Sequence, residues 1–274
     1  MREAMTGPVR LVISDVDGTL VRHDKSLTEA TVAAFARLRA AGIPATLISA
    51  RPPAGLDWLA DRLDIDLAMG AFNGGTLFTR EGVVGTPHRL PAETVRAILK
   101  MGAVTGVDIW VFADGHWYAR DEDNAHVPRE KLSSGLMPTL VSDFATVSAA
   151  DKIAFVCDDA DTLHQLETKA HAAFGATIMV AMSQAYFLDF TAPEANKGDG
   201  VAALAARIGV PLSQVAVIGD MANDLPMFAR AGFSIAMGQS SDAVKAAADA
   251  VTASNEDDGV AQAIDTLILP RVPA

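Results

Sequence analysis

The chain has 274 residues, half of them hydrophobic and a fifth charged, and its formal net charge is −12. This composition is typical of a folded globular protein and excludes the disordered and fibrous classes, while the length allows one large domain or two unequal ones. The negative charge argues against a protein that holds nucleic acid or an anionic membrane through a broad basic surface.

The N-terminal part of the chain alternates apolar runs with helical periodicity. An apolar run over residues 9–14 leads into the loop DVDGTL, and apolar residues recur at helical spacing over residues 28–41 before Gly42 ends the pattern. A second short apolar run over residues 45–48 is followed by a helical stretch through Leu56, Leu59 and Leu63. This β-α-β order predicts a parallel sheet with helices on its faces.

The pattern changes between about residues 85 and 191. A helix is expected over residues 91–101, and the aromatic run DIWVFADGHWYARD has Asp114 and Gly115 at its centre, which is a hairpin signal. The strand IAFVCD, a helix around residues 163–172 and a strand pair across IMVAMSQAYFLDF complete a small α+β unit. We call residues 86–191 the inserted segment.

The alternating pattern resumes after Asn196, with a helix over residues 201–208, the strand QVAVIGD, a short helix over 225–230 and the strand SIAM. A helix over 242–249, the short segment ADAVT and a helix over 259–269 close the chain. We therefore predict an α/β fold: a Rossmann-like parallel-sheet core with helices on both faces, formed by residues 1–85 and 192–274, with the inserted segment as a separate α+β domain.

Polar residues directly after buried strands carry most weight, because ligands of open parallel sheets bind at the carboxyl ends of the strands. Four segments qualify: DVDGT, SAR, NGG and GDMAND. Taken alone, DVDGT is compatible with a turn or with the start of a calcium loop. A calcium loop of the EF-hand type needs glycine at its sixth position and glutamate at its twelfth, where this chain has Leu20 and Ser26.

Two neighbouring carboxylates, Asp15 and Asp17, repel each other unless a cation or hydrogen bonds compensate them. Together with Asp220, after a distant strand, they can form the oxygen-rich site that Mg²⁺ prefers. Ser49 can donate to a phosphate oxygen or serve as a helix N-cap. Lys197 begins a helix, where a bound anion would favour its charge, or it is an ordinary exposed lysine.

In order along the chain, these segments resemble the four motifs of the haloacid dehalogenase superfamily, and in particular its Cof-type phosphatases of subclass IIB, which carry a cap domain after the second motif. DVDGTL resembles the first motif, Ser49 the second, Lys197 the third and GDMAND the fourth. The NGG segment and the late stretch SNEDDGVAQAI also look like family features. Two departures are Ser-Ala-Arg in place of the frequent Thr-Gly-Arg, and the approach TAPEANK to Lys197.

The resemblance implies a magnesium-dependent phosphatase. Asp15 would be the nucleophile that becomes an aspartyl phosphate, and Asp17 the general acid and base. Mg²⁺ would be held by the side chains of Asp15 and Asp220 and by the main-chain carbonyl of Asp17. Dehalogenating relatives lack the second aspartate of the first motif, so its presence favours phosphate chemistry.

The resemblance also assigns the phosphate to Ser49, Lys197 and Asn223, and it gives Asp224 a supporting role in orienting Lys197 or a metal-bound water. Specificity is expected in the inserted segment, where His116, Trp117, Tyr118, His126 and Arg129 are candidates; an aromatic hairpin is nevertheless more typical of a domain core than of a substrate contact.

The expected substrate is a small phosphorylated metabolite, with sugar phosphates the commonest class. A phosphotransferase resembling the phosphomannomutases is an alternative, and a non-catalytic sensor of a phosphorylated ligand is a more distant one. The first ten residues lack the apolar stretch of a signal peptide, and no apolar run approaches the roughly 20 residues of a membrane span. A cytoplasmic location, without nucleic-acid or membrane partners, is therefore expected.

Overall fold

In the computed structural model, which describes residues 7–271, strands and helices alternate from the start of the chain. Helix α1 begins where the Thr28 side chain accepts a hydrogen bond from the backbone N–H of Thr31, as a capping threonine does. The elements up to the inserted segment are β1 (Leu11–Ser14), α1 (Glu29–Ala40), β2 (Ala45–Leu47), α2 (Ala54–Leu63), β3 (Met69–Ala71), β4 (Thr76–Thr79) and β5 (Gly82–Val83).

The inserted segment contains mainly antiparallel strands with three helices. Its elements are β6 (Leu90–Pro91), α3 (Ala92–Ala103), β7 (Asp108–Ala113), β8 (His116–Ala119), α4 (Val127–Ser134), β9 (Pro138–Leu140), β10 (Ala149–Ala150), β11 (Lys152–Val156), α5 (Ala160–Phe174), β12 (Met179–Gln184) and β13 (Phe187–Thr191). The predicted hairpin is confirmed, since Asp114 and Gly115 both have positive φ and join β7 to β8 as a two-residue turn.

The remaining elements return to the alternating pattern. They are α6 (Lys197–Ile208), β14 (Val215–Gly219), α7 (Leu225–Phe228), β15 (Phe233–Ala236), α8 (Asp242–Ala247), β16 (Ala250–Val251) and α9 (Gly259–Ala263), whose helical path continues in wider and then tighter turns to Arg271. None of the helices within residues 7–271 combines the length and the apolar character needed to span a membrane.

The central sheet has five parallel strands in the order β16-β15-β14-β1-β2. Strand β1 is flanked by β14, more than 200 residues later, with Ser14 opposite Ile218. The loops that follow β1, β2 and β14 therefore emerge at one edge of the sheet. A bridge between Ile48 and Gly70 brings the NGG segment to the same edge.

Both faces of the central sheet are covered, as the apolar strands predict. Side chains alternate between faces along each strand: Val12 and Ala216 pack in one cluster with α1, α2 and α9, whereas Ile13 and Val217 pack in another with α6, α7 and α8. This confirms the predicted α/β architecture, in which helices flank a parallel sheet.

The inserted segment folds around a second sheet of six strands, in the order β12-β13-β11-β7-β8-β9. One face packs against α3 and α5 through residues such as Ile153 and Leu188. The other face carries Trp110 and Phe112, which share a cluster with Phe72 of the central-sheet unit. The inserted sheet thus turns this face toward the edge where β1 and β14 end.

Candidate active site

The predicted site segments lie around one cleft between the central sheet and the inserted segment. Asp15, Asp17, Ser49, Asp220 and Asn223 line it from the side of the central sheet. They come together because the parallel strands that precede three of these loops are neighbours in the sheet.

Three carboxylates meet at the base of this cleft. Asp15, Asp220 and Asp224 each offer one oxygen, and the three oxygens lie within 4.8 Å of one another. Burial, opposed by Lys197, raises the pKa of Asp15 to about 7, and burial together with the charges of Asp15 and Asp224 raises the pKa of Asp220 to about 8. Burial and the neighbouring carboxylates thus destabilise the charged forms of Asp15 and Asp220.

Lys197 is the cation that faces this acidic group. Its Nζ donates to Asp15 Oδ1 at 2.5 Å and to Asp224 Oδ1 at 2.6 Å, and the side chain is almost completely buried. The residue is held at the first position of α6, where the side chain of Asn196 caps the helix. Burial alone would lower the pKa of Lys197, but the two carboxylates raise it above its ordinary value.

Asp224 shapes the loop that follows β14. Its Oδ2 accepts hydrogen bonds from the backbone N–H groups of Asp220 at 2.8 Å and of Met221 at 2.9 Å. A Cβ at Gly219 would lie 2.5 Å from Asp224 Cγ, so this turn requires glycine. With Oδ1 on Lys197, both oxygens of Asp224 are already occupied by protein donors, and Asp224 acts on the site by positioning its neighbours.

The loop DVDGTL is held against Asp220. Gly18 has a φ of +78°, and a Cβ there would lie 2.4 Å from Asp220 Oδ2. Thr19 Oγ1 donates to Asp220 Oδ1 at 3.2 Å, and Gln239 Nε2 donates to the carbonyl of Gly18 at 2.5 Å. Glycine at position 18 therefore serves both the left-handed turn and the close approach of the two loops.

The side chain of Asp17 lies in a different environment from that of Asp15. Its two oxygens accept hydrogen bonds from Arg51 Nε at 2.7 Å and Arg51 Nη2 at 2.8 Å, and Oδ1 also accepts from Lys25 Nζ at 2.6 Å. Burial would raise the pKa of Asp17, but Arg51 and then Lys25 hold it well below its usual range. In this arrangement Asp17 is a carboxylate.

Ser49 and Asn223 lie on the walls of the cleft. Ser49 Oγ accepts a hydrogen bond from the backbone N–H of Arg51 at 3.2 Å, so its own proton is available for another acceptor. Asn223 Nδ2 donates over a long 3.4 Å to Asn73 Oδ1, and within residues 7–271 its buried Oδ1 has no hydrogen-bond partner. The Asn223 amide therefore has unused capacity beside the cleft.

Several residues that line this cleft were not predicted as site residues from the sequence. Arg51 and Lys25 face Asp17, and from the inserted segment Glu130, Lys152 and Tyr186 complete the lining. Lys152 had a detectable signal, since it opens the otherwise apolar strand KIAFV. For Glu130 and Lys25 the local sequence has no comparable signal.

The candidate residues of the aromatic hairpin have other surroundings. Trp117 is fully buried and its ring packs edge-on against Trp110 at 4.8 Å, in agreement with a role in the core. His126 stacks on Tyr186 at 3.7 Å, and Arg129 donates to the carbonyl of His23 at 3.1 Å. His126 thus packs against Tyr186, which lines the cleft, and Arg129 connects the inserted segment to the loop after β1.

The chemistry of the acidic group fits a divalent cation. Three buried carboxylates face a single lysine, which leaves an excess of negative charge, and Asp15 and Asp220 keep oxygens that are not used by protein donors. Carboxylate oxygens of this kind are the ligands that Mg²⁺ prefers. The residues present therefore suit the ion that the sequence predicted.

Comparison with known proteins agrees with this arrangement. Residues 12–264 match the family model of haloacid dehalogenase-like hydrolases. A Haemophilus influenzae relative is 30% identical over 255 residues, covering 92% of this chain and 95% of the relative, and an Escherichia coli HMP-PP phosphatase is 27% identical over 229 residues, 84% of each protein.

Solved structures show the same fold. A haloacid dehalogenase-like hydrolase from Bacteroides thetaiotaomicron superposes with a TM-score of 0.82 at 28% identity, covering 94% of this chain and 98% of that one. A sugar phosphatase of subclass IIB superposes with a TM-score of 0.81 at 24% identity, with the same coverage. The sequence-based assignment to the haloacid dehalogenase family is confirmed.

Proposed function

Since the chain belongs to the haloacid dehalogenase-like hydrolases and is a phosphatase, we propose that it hydrolyses a small phosphorylated metabolite with Mg²⁺ through an aspartyl-phosphate intermediate on Asp15. The observation that carries this proposal is the contact between Lys197 and Asp15 at the end of the central strand β1, beside two further buried carboxylates. A nucleophilic carboxylate, its cationic partner and an acidic metal site are the parts that phosphoryl transfer needs.

Asp15, Asp220 and the main-chain carbonyl of Asp17 are proposed to hold Mg²⁺. Bound there, the ion would neutralise charge on the transferring phosphoryl group and offset the repulsion between the anionic phosphate and the carboxylate of Asp15. Asp224 does not need to be a ligand, because its oxygens are taken up by Lys197 and by two backbone N–H groups.

The phosphate itself is proposed to bind to Ser49, Lys197 and Asn223. An ammonium has three donors, of which Lys197 uses two on Asp15 and Asp224, so one remains for a phosphoryl oxygen. The Ser49 hydroxyl proton and the weakly used Asn223 amide supply further donors. Such donors stabilise negative charge that develops on the phosphoryl oxygens.

Two displacements follow from this arrangement. A carboxylate oxygen of Asp15 forms a bond to phosphorus while the bond to the leaving oxygen breaks, and Asp17 gives that oxygen a proton. Water then attacks the aspartyl phosphate, Asp17 accepts a proton, and inorganic phosphate leaves with Asp15 restored. Because Arg51 and Lys25 keep Asp17 ionised here, Asp17 must move away from them before it can act as the acid.

The inserted segment, residues 86–191, is proposed to act as a cap that closes the cleft and contacts the leaving group. Support comes from the lining of the cleft, to which Glu130, Lys152 and Tyr186 contribute opposite Asp15 and Asp17. A closed cleft excludes water other than the nucleophile and strengthens the electrostatic interactions inside it.

The test is phosphate release from a panel of phosphorylated metabolites and from p-nitrophenyl phosphate, with Mg²⁺ and with a chelator. We expect release only with Mg²⁺, its loss in Asp15→Asn, and normal release in the matched variant Asp123→Asn, which alters an exposed aspartate. Equal release by Asp15→Asn and the wild type would contradict the covalent mechanism.

Labelling separates the roles of the two aspartates. With p-nitrophenyl phosphate carrying a radioactive phosphoryl group, whose leaving group needs no proton, Asp17→Asn should retain acid-stable label on the protein, because the nucleophile is intact but the base for hydrolysis is missing. Asp15→Asn should acquire no label. Label on Asp15→Asn would place the nucleophile elsewhere.

A further inference from the structure

Four charged side chains are buried in the inserted segment and have no part in the proposed phosphoryl transfer; one of them, Asp151, is paired with Arg89, and the other three are considered together. Glu130 is 7% exposed, Lys152 3% and Asp189 2%. A buried charge is costly unless partners compensate it, so such groups are retained at sites where they bind something or hold another group in place.

Lys152 and Asp189 lie on the face of the inserted sheet that is turned toward the central sheet. Along β11 and β13, Ile153 and Leu188 point to the opposite face, into the core with α3 and α5. Lys152 Nζ lies 3.5 Å from Asp189 Oδ2 and 4.8 Å from the centre of the Phe112 ring. Because side chains alternate between the two faces of a strand, Lys152 and Asp189 lie on the face that is turned toward the cleft.

The pair is incompletely satisfied. A distance of 3.5 Å is longer than the roughly 2.8 Å of a charge-assisted hydrogen bond. Within residues 7–271, neither oxygen of Asp189 has a hydrogen-bond partner. An ammonium with three donors in a buried site thus has capacity for acceptors on a ligand.

Glu130 connects this pair to the catalytic residues. It lies on α4, where its Oε2 accepts a hydrogen bond from Ser133 Oγ at 3.0 Å. Glu130 lines the same cleft as Lys152, Asp17 and Arg51, and its carboxylate interacts electrostatically with all three. Glu130 therefore lies in the cleft that must hold a leaving group receiving a proton from Asp17.

We propose that Glu130 and Lys152 form the leaving-group subsite of the proposed phosphatase, binding neighbouring hydroxyl groups of an uncharged leaving group. Glu130 accepts from one hydroxyl and Lys152 donates to another, while Asp189 holds Lys152 in place. Both subsite residues line the same cleft as Asp15 and Asp17, together with Ser183 and Tyr186. This inference rests on the proposed function.

The balance of charge restricts the class of substrate. Two carboxylates, Glu130 and Asp189, outnumber the single ammonium of Lys152, so the subsite offers donors and acceptors without a net positive charge. A second anionic group on the leaving side would lie beside the carboxylates of Glu130 and Asp189, which share the single ammonium of Lys152, in a buried environment where repulsion is strong. The subsite therefore favours phosphomonoesters of neutral polyhydroxy compounds over those of sugar acids or bisphosphates.

The experiment compares kcat/KM for three kinds of substrate with Mg²⁺: monophosphates of hexoses, pentoses and glycerol; phosphorylated sugar acids; and p-nitrophenyl phosphate, whose leaving group has no vicinal hydroxyls. In the wild type, the best neutral polyol phosphate should exceed its sugar-acid counterpart at least tenfold. Lys152→Met should lower kcat/KM for the polyol phosphate about 10- to 100-fold more than for p-nitrophenyl phosphate, the loss expected for a hydrogen bond to a charged group.

Two further variants keep the test decisive if Lys152→Met does not fold. The double variant Lys152→Met with Asp189→Asn removes both charges together and should show the same selective loss. Glu130→Gln keeps the shape of the side chain and should narrow the preference for neutral over acidic sugar phosphates. Exposed residues of helix α3 supply matched controls, Lys100→Met and Glu93→Gln, which should retain the wild-type preference.

The outcomes separate the two proposals. If the wild type prefers a sugar acid or a bisphosphate, or if the Lys152 variants lose activity equally on every substrate, the subsite proposal is overturned while the phosphatase mechanism stands. If the wild type shows no Mg²⁺-dependent release of phosphate from any of the three kinds of substrate, both the proposed function and the subsite proposal are wrong.

Discussion

The buried acidic group makes the stability of the metal-free protein depend on pH, and Mg²⁺ should abolish that dependence. The pKa of Asp15 is raised from 3.8 to about 7 and that of Asp220 to about 8, mainly by burial. A carboxyl whose pKa is raised on folding stabilises the folded state while it is protonated, and this contribution is lost as pH rises through its folded-state pKa. Metal-free protein should therefore lose stability between pH 5 and pH 8.

The magnitude follows from the width of this window. Between pH 5 and pH 7, the interacting pair of Asp15 and Asp220 keeps at least one proton in the folded protein that the unfolded chain has released, which corresponds to at least about 2 to 3 kcal/mol at about 1.36 kcal/mol per pH unit. For a chain of 274 residues the corresponding fall in Tm is at least about 4 to 6 °C. The charge of Lys197 stays constant over this range because its pKa is raised.

The assay is thermal unfolding at pH 5 and pH 8, with a chelator and with saturating Mg²⁺. Because the ion binds ionised carboxylates and displaces protons, Mg²⁺ should raise Tm much more at pH 8 than at pH 5. Asp220→Asn should lose most of this response, and the exposed control Asp123→Asn should keep it. An equal rise in Tm at both pH values, or a full response in Asp220→Asn, would show that Mg²⁺ does not bind the ionised carboxylates of Asp15 and Asp220.

Two further substitutions test the loops around the site. Gly18→Ala places a Cβ 2.4 Å from Asp220 Oδ2 and should weaken Mg²⁺ binding and lower kcat. The control Gly42→Ala is also at positive φ but has open space around it, so it should cost only about 1 kcal/mol of stability. Equal effects of the two substitutions in a Mg²⁺ titration would contradict the close approach of Gly18 to Asp220. Arg51→Met removes two hydrogen bonds that hold the pKa of Asp17 low. Where hydrolysis of the aspartyl phosphate limits kcat, Asp17 must be ionised to act as the base, so the acid limb of a plot of kcat against pH should move to higher pH. An acid limb at the wild-type position would mean that Arg51 does not set the ionisation of Asp17.

Much of the central architecture could be predicted from the sequence because its signals are local. Helical and strand periodicity is visible within one element, and the order of elements restricts the sheet to a parallel arrangement with covered faces. The rule that ligands bind at the carboxyl ends of parallel strands then brought together Asp15 and Asp220, two residues that lie 205 positions apart in the chain. The place of Lys197 at the start of a helix was also compatible with an ordinary exposed lysine, and only the resemblance to the third family motif assigned it to the site.

Helix α4 shows where local signals fail. Its sequence VPREKLSS contains a proline near the start, two serines at the end and little apolar periodicity, so no pattern predicted it. It forms because it packs beside α2: a Cβ at Gly55 would lie 2.3 Å from the carbonyl oxygen of Ser133. Tertiary contact overrides weak propensity here, and it is this contact that carries Glu130 to the cleft.

The partners of the charged residues likewise depend on the assembled fold. The adjacent aspartates of DVDGTL looked alike in the sequence, yet Asp15 faces Lys197 while Asp17 faces Arg51. Lys152 and Asp189 meet only because antiparallel pairing sets Ala154 opposite Asp189 and puts Lys152 on the same face. The packing of distant elements determines which ionic groups become partners. The sequence could therefore predict which polar residues gather at the end of the sheet, whereas their different environments arise only when the two sheets face each other.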